Sequence, residues 1–86
     1  MSTAKRQDIK FAKEIGELVK DKRKKMNIRQ ADAAALCNVG TRFFSELENG
    51  KPTLEIDKVL HVLQSLGLSV NISNRWLPWA KFFMYT

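Results

Sequence analysis

At 86 residues the chain is long enough for one small domain with a tail and too short to bury a large core, so dimerisation would help stabilise it. Fifteen Lys and Arg against nine Asp and Glu give a formal net charge of +6, which favours an anionic partner, nucleic acid ahead of a membrane surface. The single cysteine, Cys37, excludes an internal disulfide framework and a cysteine-rich zinc site, and no apolar run approaches the roughly 20 residues of a membrane span.

Met1 to Asp8 is polar and is expected to fray; it carries no signal-peptide pattern, so a reducing cytoplasm is the expected setting. Phe11, Ile15, Leu18 and Val19 then recur at helical spacing, followed by Met26, and predict a first helix over about Ile9 to Lys25. Its last turns carry Lys20, Lys22, Arg23, Lys24 and Lys25. Cations there suit the negative end of the helix dipole, and they also suit phosphate contact. Asn27 breaks the pattern.

A second helix is predicted over about Arg29 to Cys37. Arg29 is a poor N-cap, for which Asp32 in the first turn partly compensates. Ala33, Ala34, Leu36 and Cys37 supply its apolar contacts. Asn38 falls where the chain must turn sharply, and asparagine tolerates the left-handed conformation. A third helix is expected from Thr41 to about Asn49, with Phe44, Leu47 and the stem of Glu48 inward and Gly50 as its stop. Thr53 is the expected cap of a fourth helix, with Glu55 and Asp57 in its first turn. Ile56, Val59, Leu60, Leu63 and Leu66 form its apolar stripe, and Gly67 ends it. His61 falls off that stripe and is expected at the surface.

The period then changes. Leu68, Val70 and Ile72 alternate with Ser69, Asn71 and Ser73, the pattern of a half-buried strand. The chain offers no second convincing strand, so the expected partner is the same strand of a second copy across a two-fold axis. The last segment, RWLPWAKFFMYT, holds five of the chain's eight aromatics and so differs from everything before it. It can fold back over the dimer or the core, dock a partner protein through aromatic anchors, or lie weakly on a membrane surface. The expected organisation is therefore a flexible N-terminus at 1–8, a helical unit at 9–67, a dimerisation strand at 68–73 and an aromatic tail at 74–86.

Ile28 to Gly50, IRQADAAALCNVGTRFFSELENG, is two short helices around a tight turn, which is a helix-turn-helix. Its spacing assigns contacts. Gln30, with Arg29 beside it, lies near the sugar–phosphate backbone. Thr41, Arg42, Ser45 and Glu46 occupy the outward face of the reading helix, the positions that reach base edges. Arg42 can bond bidentately to guanine O6 and N7, and Glu46 can accept from cytosine N4. Phe43 either packs against thymine methyls or joins the core. Glu46 can also pair with Arg42 one turn earlier. Asn49 and Lys51 follow the helix and can donate to phosphate. One His, one Cys and scattered carboxylates provide no nucleophile–base set and no metal cluster, so neither an enzyme nor a cofactor is expected.

Residues 9 to 67 resemble the phage-repressor-type (XRE, Cro/CI-like) helix-turn-helix domain. Gln30 at the start of helix two, Ala34 at the helix contact, Val39 after the turn and SELENGKPTL (Ser45 to Leu54) carry the resemblance. The family usually has Leu where Ala33 stands, Gly where Asn38 stands and Thr or Ser where Arg29 stands. The resemblance implies an all-α bundle of four or five helices that dimerises on two palindromic operator half-sites of double-stranded DNA. Val59 to Ser73, VLHVLQSLGLSVNIS, is similar to HipB-type antitoxins, in which a C-terminal strand pairs across the homodimer. That similarity implies a HipA-like serine/threonine kinase toxin as partner and repression of the pair's own promoter. Trp76 and Trp79 are the tail residues to which toxin contact is carried over. A stand-alone phage or plasmid repressor is the alternative, and a protein-interaction module without DNA affinity is the third class.

Overall fold

A computed structural model describes residues 9–72. Among them four helices follow one another: α1 (Ala12–Lys25), α2 (Gln30–Leu36), α3 (Thr41–Glu48) and α4 (Ile56–Ser65). The aromatic tail, with Trp76 and Trp79, lies outside the described residues, as do Ser73 and the N-terminal eight residues.

All four helices end in the same way. The residue after each C-cap takes the left-handed conformation: Asn27 and Asn38 at φ 60, Gly50 at φ 80 and Gly67 at φ 78. In each case the next two amides fold back onto the helix. For α4, Gly67 N–H donates to the Gln64 carbonyl at 3.0 Å and Leu68 N–H to the Leu63 carbonyl at 2.8 Å. For α2, Asn38 and Val39 bond Ala35 and Ala34 in the same pattern. This is the Schellman arrangement, which satisfies carbonyls a helix end would otherwise leave bare. It normally adds an apolar contact from the second residue beyond the cap. Ile28, Val39 and Leu68 supply it, each packed against the core. After α3 that position is Lys51, a cation.

The starts are less conventional. Phe11 and Arg29 precede α1 and α2 without a capping side chain. The helices compensate from inside. Glu14 Oε1 accepts from the Lys10 and Phe11 amides, the latter at 3.2 Å, and Asp32 Oδ2 accepts from Arg29 N–H at 3.4 Å. Those two backbone donors hold the Glu14 carboxyl below its ordinary pKa, Lys10 contributing most.

The core is built around Phe44, Val19, Val62 and Cys37, all fully buried. Burial pushes the Cys37 thiol pKa up, against a weaker opposing hydrogen bond with Ser65, so it is a packing residue and not a reactive one. Ala33 and Ala34 are buried and have no bulk beyond Cβ, which suits the packing of α2 on α3. α1 and the end of α3 approach each other closely. A Cβ on Gly16 would run into the Leu47 carbonyl oxygen and stand 2.7 Å from that of Glu48. One turn earlier, Lys13 Cα would be 2.7 Å from a Cβ on Gly50. Glycine is required at both positions, at Gly50 for its positive φ as well.

Several boundaries differ from the sequence reading. The first helix starts at Ala12, leaving Ile9 and Lys10 outside it. Thr53 lies in the connecting turn, and Glu55 occupies the N-cap of α4 in extended conformation. The stripe of α4 is rotated: Val62 is fully buried, whereas Ile56 and Leu60 are 60% and 43% exposed. Leu36, expected inside, is exposed. Leu68 to Ile72 forms neither helix nor strand. A strand exists only as part of a ladder, and the described residues of one chain supply no second edge.

Candidate nucleic-acid interface

Residues of a helix advance by about 100° each, so Thr41, Ser45, Asn49, Arg42 and Glu46 fall within an arc of about 140° on α3 and its C-cap. Thr41, Arg42 and Asn49 are exposed and Ser45 and Glu46 half-buried. Phe44, Leu47 and Glu48 fill the opposite side and are buried. The face that spacing assigned to base edges is therefore the face left free.

Arg42 is the most prominent group on it, its side chain 91% exposed. Its Nε donates to Glu46 Oε2 at 3.4 Å, the one-turn pairing open to it from the sequence. Lys51 Nζ reaches the same oxygen at 3.3 Å from beyond the helix end. Phe43 lies outside the exposed arc. It is half-buried against the core, and Lys58 of α4 stands over its ring, 5.8 Å from the centroid.

The base of the motif is held by a buried polar cluster. Arg23, near the end of α1, donates from Nε and Nη2 to the two oxygens of Glu48 at 2.6 and 3.1 Å. Its Nη1 donates to the Ile28 carbonyl at 2.9 Å. Gln30 Nε2 adds a third donor to Glu48 at 2.9 Å. The Glu48 side chain is 1% exposed and that of Arg23 13%. The bidentate carboxylate raises the Arg23 pKa and fixes its charge. Three chain segments thus meet at one carboxylate: the end of α1, the start of α2 and the end of α3.

This separates the cations of α1 into two kinds. Arg23 faces inward and is fully engaged, while Lys20, Lys24 and Lys25 are exposed and available to an anion. Gln30 is anchored through its amide nitrogen at the entrance of α2. Arg29 beside it is exposed and pairs with Asp32 at 3.4 Å. From sequence alone Glu48 offers only an inward stem, and Arg23 falls in with the lysines around it. The signal was register: Ala12, Gly16, Val19 and Arg23 lie on one side of α1, so a cation was aimed at the core. No group of three or more His, Cys, Asp or Glu stands where it could hold a metal ion among the described residues. No described helix is long and apolar enough to cross a membrane.

With that geometry in place, the likeness to known proteins is specific. Residues 1–75 match the family model of a helix-turn-helix domain. Over 64 residues, 74% of this chain and 84% of the relative, the chain is 52% identical to an uncharacterized HTH-type transcriptional regulator, y4mF, of Sinorhizobium fredii. Among solved structures it resembles a HipB–O4 20mer complex with a TM-score of 0.70, covering 80% of this chain and 97% of that one. A HipA–HipB–O2–O3 complex matches with a TM-score of 0.71 and the same coverage. Identity to both is 22%, so these two likenesses are of fold. The family match and the exposed face of α3 agree, and the chain belongs to the helix-turn-helix domain family.

Proposed function

We propose that this chain is a sequence-specific repressor of double-stranded DNA, acting as a HipB-like antitoxin that represses its own operon and neutralises a HipA-like serine/threonine kinase in the cytoplasm. The observation that carries the DNA half is the free face of α3, with an outstretched Arg42 on a helix held rigidly from behind. In this reading Thr41, Arg42, Ser45 and Glu46 reach base edges, and Phe43 touches a thymine methyl from the margin. Arg29, Gln30, Asn49 and Lys51 meet phosphates at the two ends of the motif. The name of the relative, a transcriptional regulator, supports it.

The dimer belongs to the same proposal. Val70 and Ile72 are 53% and 95% exposed, high values for apolar residues that alternate with polar ones. Pairing Leu68, Val70 and Ile72 with the same residues of a second copy covers them and supplies the missing ladder. Two-fold symmetry then presents two copies of α3 to half-sites about one helical turn of DNA apart. The helical unit at 9–67, the strand at 68–73 and the tail at 74–86 divide the work into DNA reading, dimerisation and toxin docking, with Trp76 and Trp79 as anchors. The fold likeness to a complex named for both HipA and HipB supports the toxin half.

Two measurements test this. Affinity for duplex DNA is expected to fall steeply with salt, and Arg42→Ala to cost about 1–3 kcal/mol, concentrated at one base pair of the site. A flat salt response sinks the DNA reading, and an equal loss on all sequences makes Arg42 a phosphate contact. A chain ending at Asn74 is expected to bind the same DNA but to lose the kinase in a pull-down. If that chain no longer sediments as a dimer, the tail is structural and not a docking segment.

A further inference from the structure

Glu46 is the one anionic side chain on the exposed arc of α3, and its position is unusual for a DNA-facing helix. A carboxylate there opposes the approach of phosphate, yet its Oε2 holds Arg42 at 3.4 Å and Lys51 at 3.3 Å. The pairing with Lys51 is built into the helix end. Glu46 accepts the Lys51 amide at 3.1 Å as part of the C-terminal turn, so side chain and backbone join the same two residues. Where α1, α2 and α4 place Ile28, Val39 and Leu68 at this position, α3 places a cation opposite a carboxylate. Exposed pairs of this kind add little to folding. Their consequence lies in what the two cations are free to do.

We propose that Glu46 is the specificity-setting residue of the interface: it occupies Arg42 and Lys51 in the free protein, suppresses their generic attraction to phosphate, and releases them only at a matching site. The proposal rests on the DNA-binding reading and concerns what makes that binding selective. On random DNA the two cations must leave Glu46 for phosphates, and the carboxylate is left facing the polyanion. At a matching site Oε1, which receives no hydrogen bond among the described residues, accepts from a base amino group. Arg42, already held in line beside it, meets its own base edge. The carboxylate thus weakens both kinds of binding through charge but is repaid only in the specific one, which widens the gap between them.

The experiment compares wild type, Glu46→Gln and a control, Glu55→Gln, on a random-sequence 20-base-pair duplex across a salt series. It repeats them on the best duplex that wild type selects from a randomised pool. Glu55 carries the same charge but lies on the N-cap of α4, paired with Lys58. A single charge near one phosphate at water-like dielectric changes affinity roughly threefold. With two cations freed as well, Glu46→Gln is expected to tighten binding to the random duplex about three- to tenfold at low salt, with a steeper salt slope. Affinity for the selected duplex is expected to stay level or fall. Glu55→Gln is expected to change either by less than about twofold, given screening over a Debye length. In an Arg42→Ala/Lys51→Ala background the effect of Glu46→Gln should shrink to the roughly threefold of the carboxylate's charge alone. The inference is overturned if Glu46→Gln only matches Glu55→Gln, if its effect is undiminished by loss of both cations, or if it tightens both duplexes equally. Failure of wild type to bind either duplex overturns the DNA reading and this inference with it.

Discussion

Replacing Glu48 by alanine is expected to destabilise the fold by about 3–5 kcal/mol, a large part of the roughly 5–15 kcal/mol that holds a small domain together. The carboxylate receives three donors, two from Arg23 and one from Gln30, and is 1% exposed. Alanine leaves the Arg23 guanidinium almost buried with only the Ile28 carbonyl for company. A charge stranded in that way costs far more than the pair contributes when intact, because desolvation of both ions offsets most of their attraction. The double replacement Arg23→Met/Glu48→Met is therefore expected to recover much of the loss. Urea denaturation midpoints of the two singles and the double close the cycle. If Glu48→Ala costs less than about 1 kcal/mol, water reaches Arg23 and the cluster is not the clamp described here. The single replacement should also weaken DNA binding in the fraction still folded, since it frees the start of α2 from the end of α3. A merely generic loss of stability would leave the affinity of that fraction unchanged.

That cluster also marks where sequence reading stops. The helices themselves are local objects. Their 3.6-residue period, the asparagine at the turn and the glycines after α3 and α4 all act within a few positions, and each was legible. So was the outward face of α3, because Phe44 and Leu47 fix which side is inward. The Arg23–Glu48 pair joins residues 25 apart in sequence. Nothing local distinguishes Glu48 from a surface glutamate except its place one turn beyond Phe44, or Arg23 from the lysines beside it except the register of α1. Packing also sets the margin of a stripe. Ile56 and Leu60 repeat at helical spacing as faithfully as Val59 and Leu63, and only the rotation of α4 against its neighbours decides which pair is covered. The alternation at Leu68 to Ile72 is the pattern of a surface suited to pairing. One chain cannot display the partner, and that reading stands on the dimer alone. Phe43 is ambiguous for the same reason: its position on α3 is marginal, and Lys58 from α4 meets it there.

Gly16→Val is expected to cost about 3 kcal/mol, although glycine inside a helix is normally a weak point. In an exposed turn, replacing it with a better helix former gains up to about 1 kcal/mol. Here the sign reverses. Any Cβ at Gly16 would strike the Leu47 carbonyl oxygen and come within 2.7 Å of that of Glu48. Both obstacles are backbone, held by the closing turns of α3, so neither can rotate away. Overpacking a tight contact costs about 1–3 kcal/mol, and a branched side chain belongs at the upper end of that range. Gly16→Ala should be milder but still destabilising, because its single methyl meets the same two oxygens. Thermal melts of the two variants give the ordering, with wild type highest and valine lowest. A rise in melting temperature for alanine would mean that α1 sits further from α3 than the structure places it. The functional consequence follows from the same seam. Lys13 backs onto Gly50 one turn away, so pushing α1 outward shifts Gly50 and with it Lys51, whose ammonium holds Glu46. Gly16→Ala, if it still folds, should therefore loosen the Lys51–Glu46 pair and shift DNA affinity toward that of Glu46→Gln, with Arg42 itself untouched.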